Sequence, residues 1–431
     1  MASVDVPVAL LGYGTVGSAV DRLLREQAAD IERATGHRLR VVRALVRDPK
    51  KDRGDAPTTT DFAEIRDDPE VAVVAEVMGG LEPAGDYVLE LLRAGKPVVT
   101  ANKQLVAHRG AELFAAAADN GVQLRFEASV CAAIPVIKVL REALVVSNVH
   151  RVLGIVNGTT NFVLTEMEHG KTYEEALTEA QRLGFAEADP TEDVSGKDAA
   201  AKMAILATVA FGSRVTLDDV SYEGLERVTP VDVAAAREME MVVRLVGAAT
   251  LVDGRWDVRV RPALVDRHHP LAAVEGAFNA VMLQGDAIRE ITLEGPGAGG
   301  IETASAVVAD MVTVVGTTGT GFLQNDACWR ELPRLPEGDV VSPFYVRVEL
   351  DDRPGALALV AGKLAAHEVS VARLIQTQGE ESATLHIVTH EATAGRLREA
   401  LDEIDSLDEA RGQASALPVI SDRGVAELGW A

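Results

Sequence analysis

The sequence predicts an α/β protein in which a doubly wound parallel sheet is followed by an α+β domain and a small ferredoxin-like domain, and three observations carry that reading. A buried strand near the start runs into Gly12-x-Gly14-x-x-Gly17 and an amphipathic helix. Strand and helix patterns then alternate to about residue 126. A proline-rich stretch later precedes a β-α-β-β-α-β pattern over residues 343–431. The 431 residues, 47% of them hydrophobic, are enough to bury the cores of two or three domains. A net charge of -24 leaves little basic surface for nucleic acid or an anionic membrane, so a small molecule is the expected partner. Cys131 and Cys328 are the only cysteines, without metal-ligand spacing. With no basic leader and no apolar run of spanning length, they predict a cytoplasmic protein.

The first element is "VPVALLGYGTVGSAVDRLL", a strand at Val6–Leu11 followed by the glycine fingerprint and a helix. Gly12 permits the tight turn, Gly14 lets backbone approach a pyrophosphate, Gly17 lets helix and strand pack, and the helix N-terminus faces the anion. This is a Rossmann-type fingerprint in its required setting, and NAD or NADP is the expected cofactor. "RVVRALV", "VAVVAEV", "PVVTAN" and "VQLRFEA" supply further strands, with "PAGDYVLELLRAG" and "LVAHRGAELFAAAADNG" as helices, so residues 1–126 form the dinucleotide-binding domain. After the second strand, Asp48 suits a ribose hydroxyl and Arg47 a 2'-phosphate. The choice stays open and leans to NADP, with Lys50 and Lys51 adding positive charge. "TANK", Thr100 to Lys103, ends a buried strand on the side where ligands bind such sheets; on position alone, Lys103 reads as a surface lysine opening the next helix.

Residues 127–325 predict the second domain. In "LGFAEADPTEDVSGKDAAAKMAILATVAFG", a helix from about Ser195 sets Asp198 and Lys202 four residues apart among alanines and larger apolar residues. A lysine on so apolar a helix either reaches a wet cleft along its own stem or is held by carboxylates such as Asp198 and Glu187. Strands follow in "WDVRVRPALV" and "FNAVMLQGDAIREITLEG". The turn "GPGAGG", which contains Gly297 and Gly299, can bring backbone amides close to a cofactor. The helix after it, near 301–320, is expected to pack back on the first domain. His268 and His269, before Pro270, lack ligand spacing and read as exposed.

"ELPRLPEGDVVSP" reads as a linker, residues 331–342. The last unit then runs strand "FYVRVEL", turn "DDRPG", helix "ALALVAGKLAAH", strands "VSVARLIQ" and "ATLHIVTH", helix "GRLREALDEI" and strand "ALPVI".

The blocks "GYGTVG", "VMGGLEPA", "TANK", "GIVNGTTNFVL", "GFAEADPTEDVSGKDAAAKMAILA", "VTP", "HPLA" and "GPGAGG" with "TASAVVAD" resemble, in order, those of the homoserine dehydrogenase family. The resemblance covers nearly the whole chain, and the final unit resembles an ACT domain. It implies NAD(P)-dependent interconversion of aspartate 4-semialdehyde and homoserine. At matching positions it implies Lys202 as proton donor, Glu187 and Asp198 as substrate-holding residues, and Asp193 as a further candidate. Gly12, Thr15, Val16, Arg47, Lys103, Gly184 and Gly299 are the implied cofactor contacts, beside Gly14, Gly17, Thr100 and Gly297 from the motifs above. It also implies a monovalent cation, sodium or potassium, at Glu127 and the carbonyls of Val130, Ala132 and Ile134. Cys131, Ala132 and Ala133 stand where the family carries glycines, and because alanine resists positive φ this departure counts against the site. Glu302 stands where proline is usual and reads as a helix-starting glutamate favoured by the dipole. Asp352, Pro354 and Gly355 match the ACT turn that binds an amino acid, which makes threonine the implied effector and a homodimer or homotetramer the implied assembly. A domain kept only for dimerisation is the alternative at that turn. For the whole chain, the alternatives are a non-catalytic amino-acid sensor or a dehydrogenase of another amino-acid aldehyde.

Overall fold

The computed structural model describes residues 4–238, 241–316, 337–339, 341–378 and 382–418. The chain folds as two units, Met1–Trp329 and Arg330–Ala431. In the first, β1 (Val4–Leu11) sends Val6, Val8 and Leu10 into one core and Ala9 and Leu11 into another, so both of its faces are covered. There follow α1 (Thr15–Glu26), α2 (Ala28–Thr35), β2 (His37–Leu45), β3 (Thr58–Thr59), α3 (Ala63–Arg66), β4 (Val73–Glu76), α4 (Ala84–Arg93), β5 (Val98–Thr100), α5 (Lys103–Asp119) and β6 (Leu124–Arg125). The strands are parallel in the order β3-β2-β1-β4-β5-β6. The winding reverses between β1 and β4, which puts the ligand crevice at the end of β1, beside Gly12. A Cβ on Gly17 would lie 2.3 Å from the Gly12 carbonyl oxygen, so the fingerprint turn closes only with glycine there.

β6 is shorter than the strand predicted for "VQLRFEA". The chain turns at Glu127–Ser129 because the Glu127 amide donates to Asp310 Oδ2 at 2.9 Å, drawing the backbone out of the sheet. After α6 (Val136–Lys138) the second sheet begins. It is assembled from β7 (Val149–Ile155), α7 (Gly158–Glu168), α8 (Tyr173–Leu183), α9 (Thr191–Val194), α10 (Lys197–Phe211), β8 (Ser221–Tyr222), α11 (Pro230–Glu238), β9 (Met241–Val252), β10 (Arg255–Asp266), β11 (Phe278–Gly285) and β12 (Arg289–Pro296). Its order is β12-β11-β7-β9-β10-β8. The sequence reading did not mark β7 and β9, whose apolar stretches break the alternation of a half-buried strand with Gly154, Gly247 and small alanines.

α10 starts at Lys197 rather than Ser195. Gly196 takes φ +82°, which separates α10 from the short α9 before it. Ala200, Met203, Ala204 and Ala207 pack with Val152, Val243, Leu245 and Val281 in one core, so α10 is buried as its composition predicts. The β11–β12 hairpin leads into the glycine-rich turn and α12 (Gly300–Gly316). Ala304, Val307, Met311 and Val315 of α12 share a core with Val8, Leu10 and Val20 of the first sheet and its helix α1. His269 departs from its reading: it is half-buried, and its Nδ1 accepts from the Leu271 amide at 3.2 Å, capping a short turn. His268 is exposed.

The second unit contains β13 (Val341–Ser342), β14 (Phe344–Asp351), α13 (Ala356–Ala366), β15 (Val371–Gln378), β16 (Ser382–Thr389), β17 (Ala392–Thr393), α14 (Ala394–Asp405) and β18 (Ser415–Pro418). An antiparallel sheet, β15-β16-β14-β18, packs Val346, Val348 and Leu385 against Val360, Leu364, Leu397 and Ile404 of the two helices. This is the ferredoxin-like arrangement. Asp352, Pro354 and Gly355 form an exposed turn, and Gly355, at φ +95°, opens α13. Most of the 331–342 linker, Cys328 and residues 419–431 lie outside the described residues. No helix among the described residues is long and apolar enough to cross a membrane.

Candidate active site

The site grows from the N-terminal turns of α5, α7 and α10. Asp198, in the first turn of α10, is 4% exposed, and its carboxylate is shared by two ammonium groups. Lys103 Nζ lies 2.6 Å from Oδ1, and Lys202 Nζ, one turn along α10, lies 2.9 Å from Oδ2. Lys202 also donates to the Val156 carbonyl at 2.8 Å. Burial alone would raise the Asp198 carboxyl, but the two lysines outweigh it and hold the group well below the usual carboxylate range. Lys202 shows the mirror effect. Burial opposes its charge, yet Asp198 beside it shifts its titration upward, so the ammonium persists.

Asn157 is the organiser that the sequence reading missed. Its side-chain oxygen accepts from the Thr160 amide at 2.8 Å and caps α7. Its Nδ2 donates to Asp193 Oδ1 and to Asp198 Oδ2, each at 2.8 Å. One amide thus starts a helix and keeps two carboxylates at a fixed separation. Asp193 is half-buried, and burial followed by the nearby Asp198 charge pushes its carboxyl upward, against the Asn157 bond and the lysines. An asparagine ahead of "GTTNF" is readable as a helix cap; its reach to residues thirty-six and forty-one positions away is not.

The cofactor side is arranged in layers. α1 is capped by Gly14, which offers no side-chain bond, and has no acidic residue in its first turn, a helix start of the kind that can receive an anion. A Cβ on Gly300 would meet Thr15 Cγ2 at 2.8 Å, which shows the glycine-rich turn lying against the fingerprint. Gly299 lies under the Glu302 carboxylate, which is in the first turn of α12. Gly297 packs on Asn279, which is fully buried, donates to Cys131 Sγ at 3.4 Å and leaves its Oδ1 without a partner among the described residues. Thr100, expected at the cofactor, is fully buried, and its hydroxyl donates to Glu76 Oε2 at 2.6 Å. Glu76 also accepts from the amides of Met78 and Gly79, so Thr100 and Glu76 shape the loop after β4. Asn102 caps α5 and thereby aims Lys103 at Asp198.

Three expected residues are placed differently from their neighbours in the site. Glu187 is exposed in the loop after α8, and no hydrogen bond or ion pair joins its carboxylate to the cluster. Gly184 is the exposed left-handed cap of α8. Arg47 is exposed and has no hydrogen bond or ion pair among the described residues, whereas Asp48 accepts from the Lys50 amide at 2.9 Å.

At the loop after β6, Cys131 and Ala132 take φ 55° and 36°, so the backbone keeps the turn although both residues carry a Cβ. Among the described residues the carbonyls of Val130 and Ala132 accept no hydrogen bond, while that of Ile134 accepts from the Val136 amide at 2.7 Å. Both oxygens of the Glu127 carboxylate accept backbone amides, from Ile137 and Lys138, at 2.8 Å each. Burial pushes this carboxyl up to about 7.

Profiles described as "Homoserine dehydrogenase" and "Homoserine dehydrogenase, NAD binding domain" match residues 135–312 and 12–127, and one described as "ACT domain" matches 344–409. The homoserine dehydrogenase of Mycobacterium tuberculosis H37Rv is 43% identical over 433 residues, covering 96% of this chain and 97% of that protein. The Bacillus subtilis one is 39% identical, covering 94% and 95%. The chain belongs to the homoserine dehydrogenase family.

Solved structures agree. The Thiobacillus denitrificans homoserine dehydrogenase has a TM-score of 0.71 at 39% identity, over 97% of this chain and 99% of that one. A hyperthermophilic archaeal homoserine dehydrogenase in complex with NADPH has a TM-score of 0.63 at 29% identity, over 74% and 99%. As a homoserine dehydrogenase, the chain is an NAD(P)-dependent oxidoreductase that interconverts aspartate 4-semialdehyde and homoserine.

Replacing Asn157 by alanine leaves two carboxylates without their shared donor and α7 without its cap. The expected loss is about 1–3 kcal/mol of stability, read as a lower urea midpoint. A midpoint equal to that of the unsubstituted protein would remove Asn157 from the architecture of the site.

Proposed function

We propose that Lys202 protonates the aldehyde oxygen of aspartate 4-semialdehyde, with Lys103 as the second ammonium at that oxygen and Asp198 as the residue that positions both. The observation that carries this reading is the Lys103–Asp198–Lys202 cluster. An ammonium has three N–H groups, and Lys202 commits two of them, to Asp198 and Val156. The third remains for substrate. Hydride exchange at the carbonyl carbon belongs to the nicotinamide. The lysines stabilise the developing alkoxide and supply its proton. Because the carboxylate of Asp198 is already taken up by the lysines and Asn157, the substrate's own ammonium falls to Asp193 and to Glu187 on its exposed loop.

Around this centre, the backbone amides of Thr15 and Val16 receive the pyrophosphate, with Gly12, Gly14, Gly184 and Gly299 at the cofactor, while Gly17 and Gly297 shape its site by packing closely on Gly12 and Asn279. Arg47 meets the 2'-phosphate of NADP; what favours NADP is that Asp48 is turned to the Lys50 amide while Arg53 donates to the carbonyls of Asp48 and Lys51, at 2.7 and 2.9 Å. The carbonyls of Val130, Ala132 and Ile134, near Glu127, would hold sodium or potassium. Of these, the free carbonyls of Val130 and Ala132 fit a cation, and the fully bonded Glu127 carboxylate fits a supporting role. Threonine binds the Asp352-Pro354-Gly355 turn and lowers turnover in a cytoplasmic homodimer or homotetramer.

Lys202→Ala should keep NADP binding and lose roughly 10²–10⁴-fold in turnover, measured by reduced-nicotinamide absorbance. Near-normal turnover in that variant would refute the assignment. In the unsubstituted enzyme, aldehyde reduction should fall only above pH 10.5, the ordinary lysine value, because the shift of Lys202 is upward and its charged form is the donor. Homoserine oxidation needs the neutral amine and should rise with pH over the same range. Arg47→Ala should raise the KM for NADP about ten- to a hundredfold, the loss of one charge-assisted bond, and leave that for NAD unchanged; equal changes for both cofactors would count against a 2'-phosphate contact. Threonine should suppress turnover, and Asp352→Ala should abolish that suppression without altering the uninhibited rate. Binding of threonine with no effect on rate would leave the domain an assembly element. Sodium and potassium chloride arms of the same assay, set against tetramethylammonium chloride, test the cation, and equal rates in all three would reject it.

A further inference from the structure

A second cavity, of about 620 Å³, opens at the end of α7 opposite Asn157, bounded by α11, the start of β9 and the turn before β11. Its wall holds Arg244, Arg237, Arg267, Glu168 and Glu275, over an apolar floor that includes Val242. Arg244 is 1% exposed, unusual for a residue that is costly to bury charged. Its guanidinium is oriented by the Glu168 carboxylate, by the Val243 carbonyl at 2.9 Å and by the Ala272 carbonyl at 3.0 Å. Its Nε is a buried donor with no acceptor. Arg237 and Arg267 are exposed, and neither has a hydrogen bond or ion pair among the described residues. His169, at the rim, lies 3.8 Å from Glu166.

Nothing in the reaction uses these groups, since Lys103, Asp198 and Lys202 sit at the other end of α7. Elsewhere on this acidic chain arginines are commonly matched by carboxylates, as in Arg40–Asp5, Arg66–Glu90 and Arg109–Asp86. Here three arginines line the wall beside two carboxylates, and both carboxylates are already engaged, Glu168 with Arg244. Two unpaired guanidinium forks beside a buried, pre-oriented third suit a planar or tetrahedral oxyanion. The volume lies in the range of small-molecule sites, and the apolar floor accepts a short carbon skeleton. We propose that this cavity is a binding site for a small organic anion, held through its carboxylate or phosphate group by Arg237 and Arg267 above Arg244.

The test uses the full chain saturated with NADP, so that the cofactor's own phosphate positions are filled. Inorganic phosphate and malonate are titrated separately at constant ionic strength, with binding followed by calorimetry. The expected result is saturable binding of at least one of them, weakened tenfold or more in an Arg237→Gln, Arg267→Gln double variant whose basal turnover is unchanged. Arg244→Gln is not the decisive variant, because emptying a buried pair can unfold the domain. Binding of phosphate alone identifies a phosphate ester as the ligand class, and binding of malonate alone a carboxylate. Absence of saturable binding by both, or equal binding in the double variant, would overturn the site.

Discussion

The carboxylate of Asp198 is the constraint on which the junction between the two larger sheets of this molecule depends. A carboxylate at 4% exposure must be compensated, and here Lys103 and Lys202 do it from two different domains. Removing one partner from a buried pair costs about 3–5 kcal/mol, a large share of the 5–15 kcal/mol that typically holds a domain. The dinucleotide-binding sheet and the second sheet are therefore held in one relative placement by the Lys103–Asp198–Lys202 cluster. The two sheets cannot drift apart without leaving the buried Asp198 charge short of a partner.

A second polar joint works beside it. Asp310 on α12 accepts the Glu127 amide and lies 3.5 Å from Lys138, and Lys138 donates to the Ala309 carbonyl at 3.1 Å. α12 thus reaches the first sheet through an apolar face and is fixed in register by a few hydrogen bonds. The same loop continues to Cys131 and Ala132, whose positive φ values are sustained by the packing around them. Isolated alanine would avoid that conformation, which is why the residue types alone argued against a turn that the fold retains.

Asn157 and Asn102 show how helix starts are used for function. Each satisfies a helix amide, the ordinary task of a cap, and each aims a charged neighbour: Asn157 holds Asp193 and Asp198, and Asn102 begins the helix that carries Lys103. Lys103 is held rigidly because it shares a backbone segment with its cap, whereas Asn157 holds its two carboxylates through its own amide across the fold.

The sequence by itself determined the order of the elements, the dinucleotide turn, the burial of the Asp198–Lys202 helix and the ferredoxin-like end, because each is written in local period or spacing. Gly12, Gly14 and Gly17 lie within six residues of one another, and Asp198 and Lys202 on adjacent turns of one helix. Only the tertiary structure decided that Lys103 meets Asp198, that Thr100 turns inward to Glu76, that Asn157 bridges two carboxylates, and that Glu187 stays at the surface. Those relations join residues far apart in the chain, and no local pattern encodes the distance between them. The strands β7 and β9 escaped the sequence reading for a related reason. Their small residues make room for Met203 of α10, a requirement set by a neighbour and invisible in the strand's own alternation.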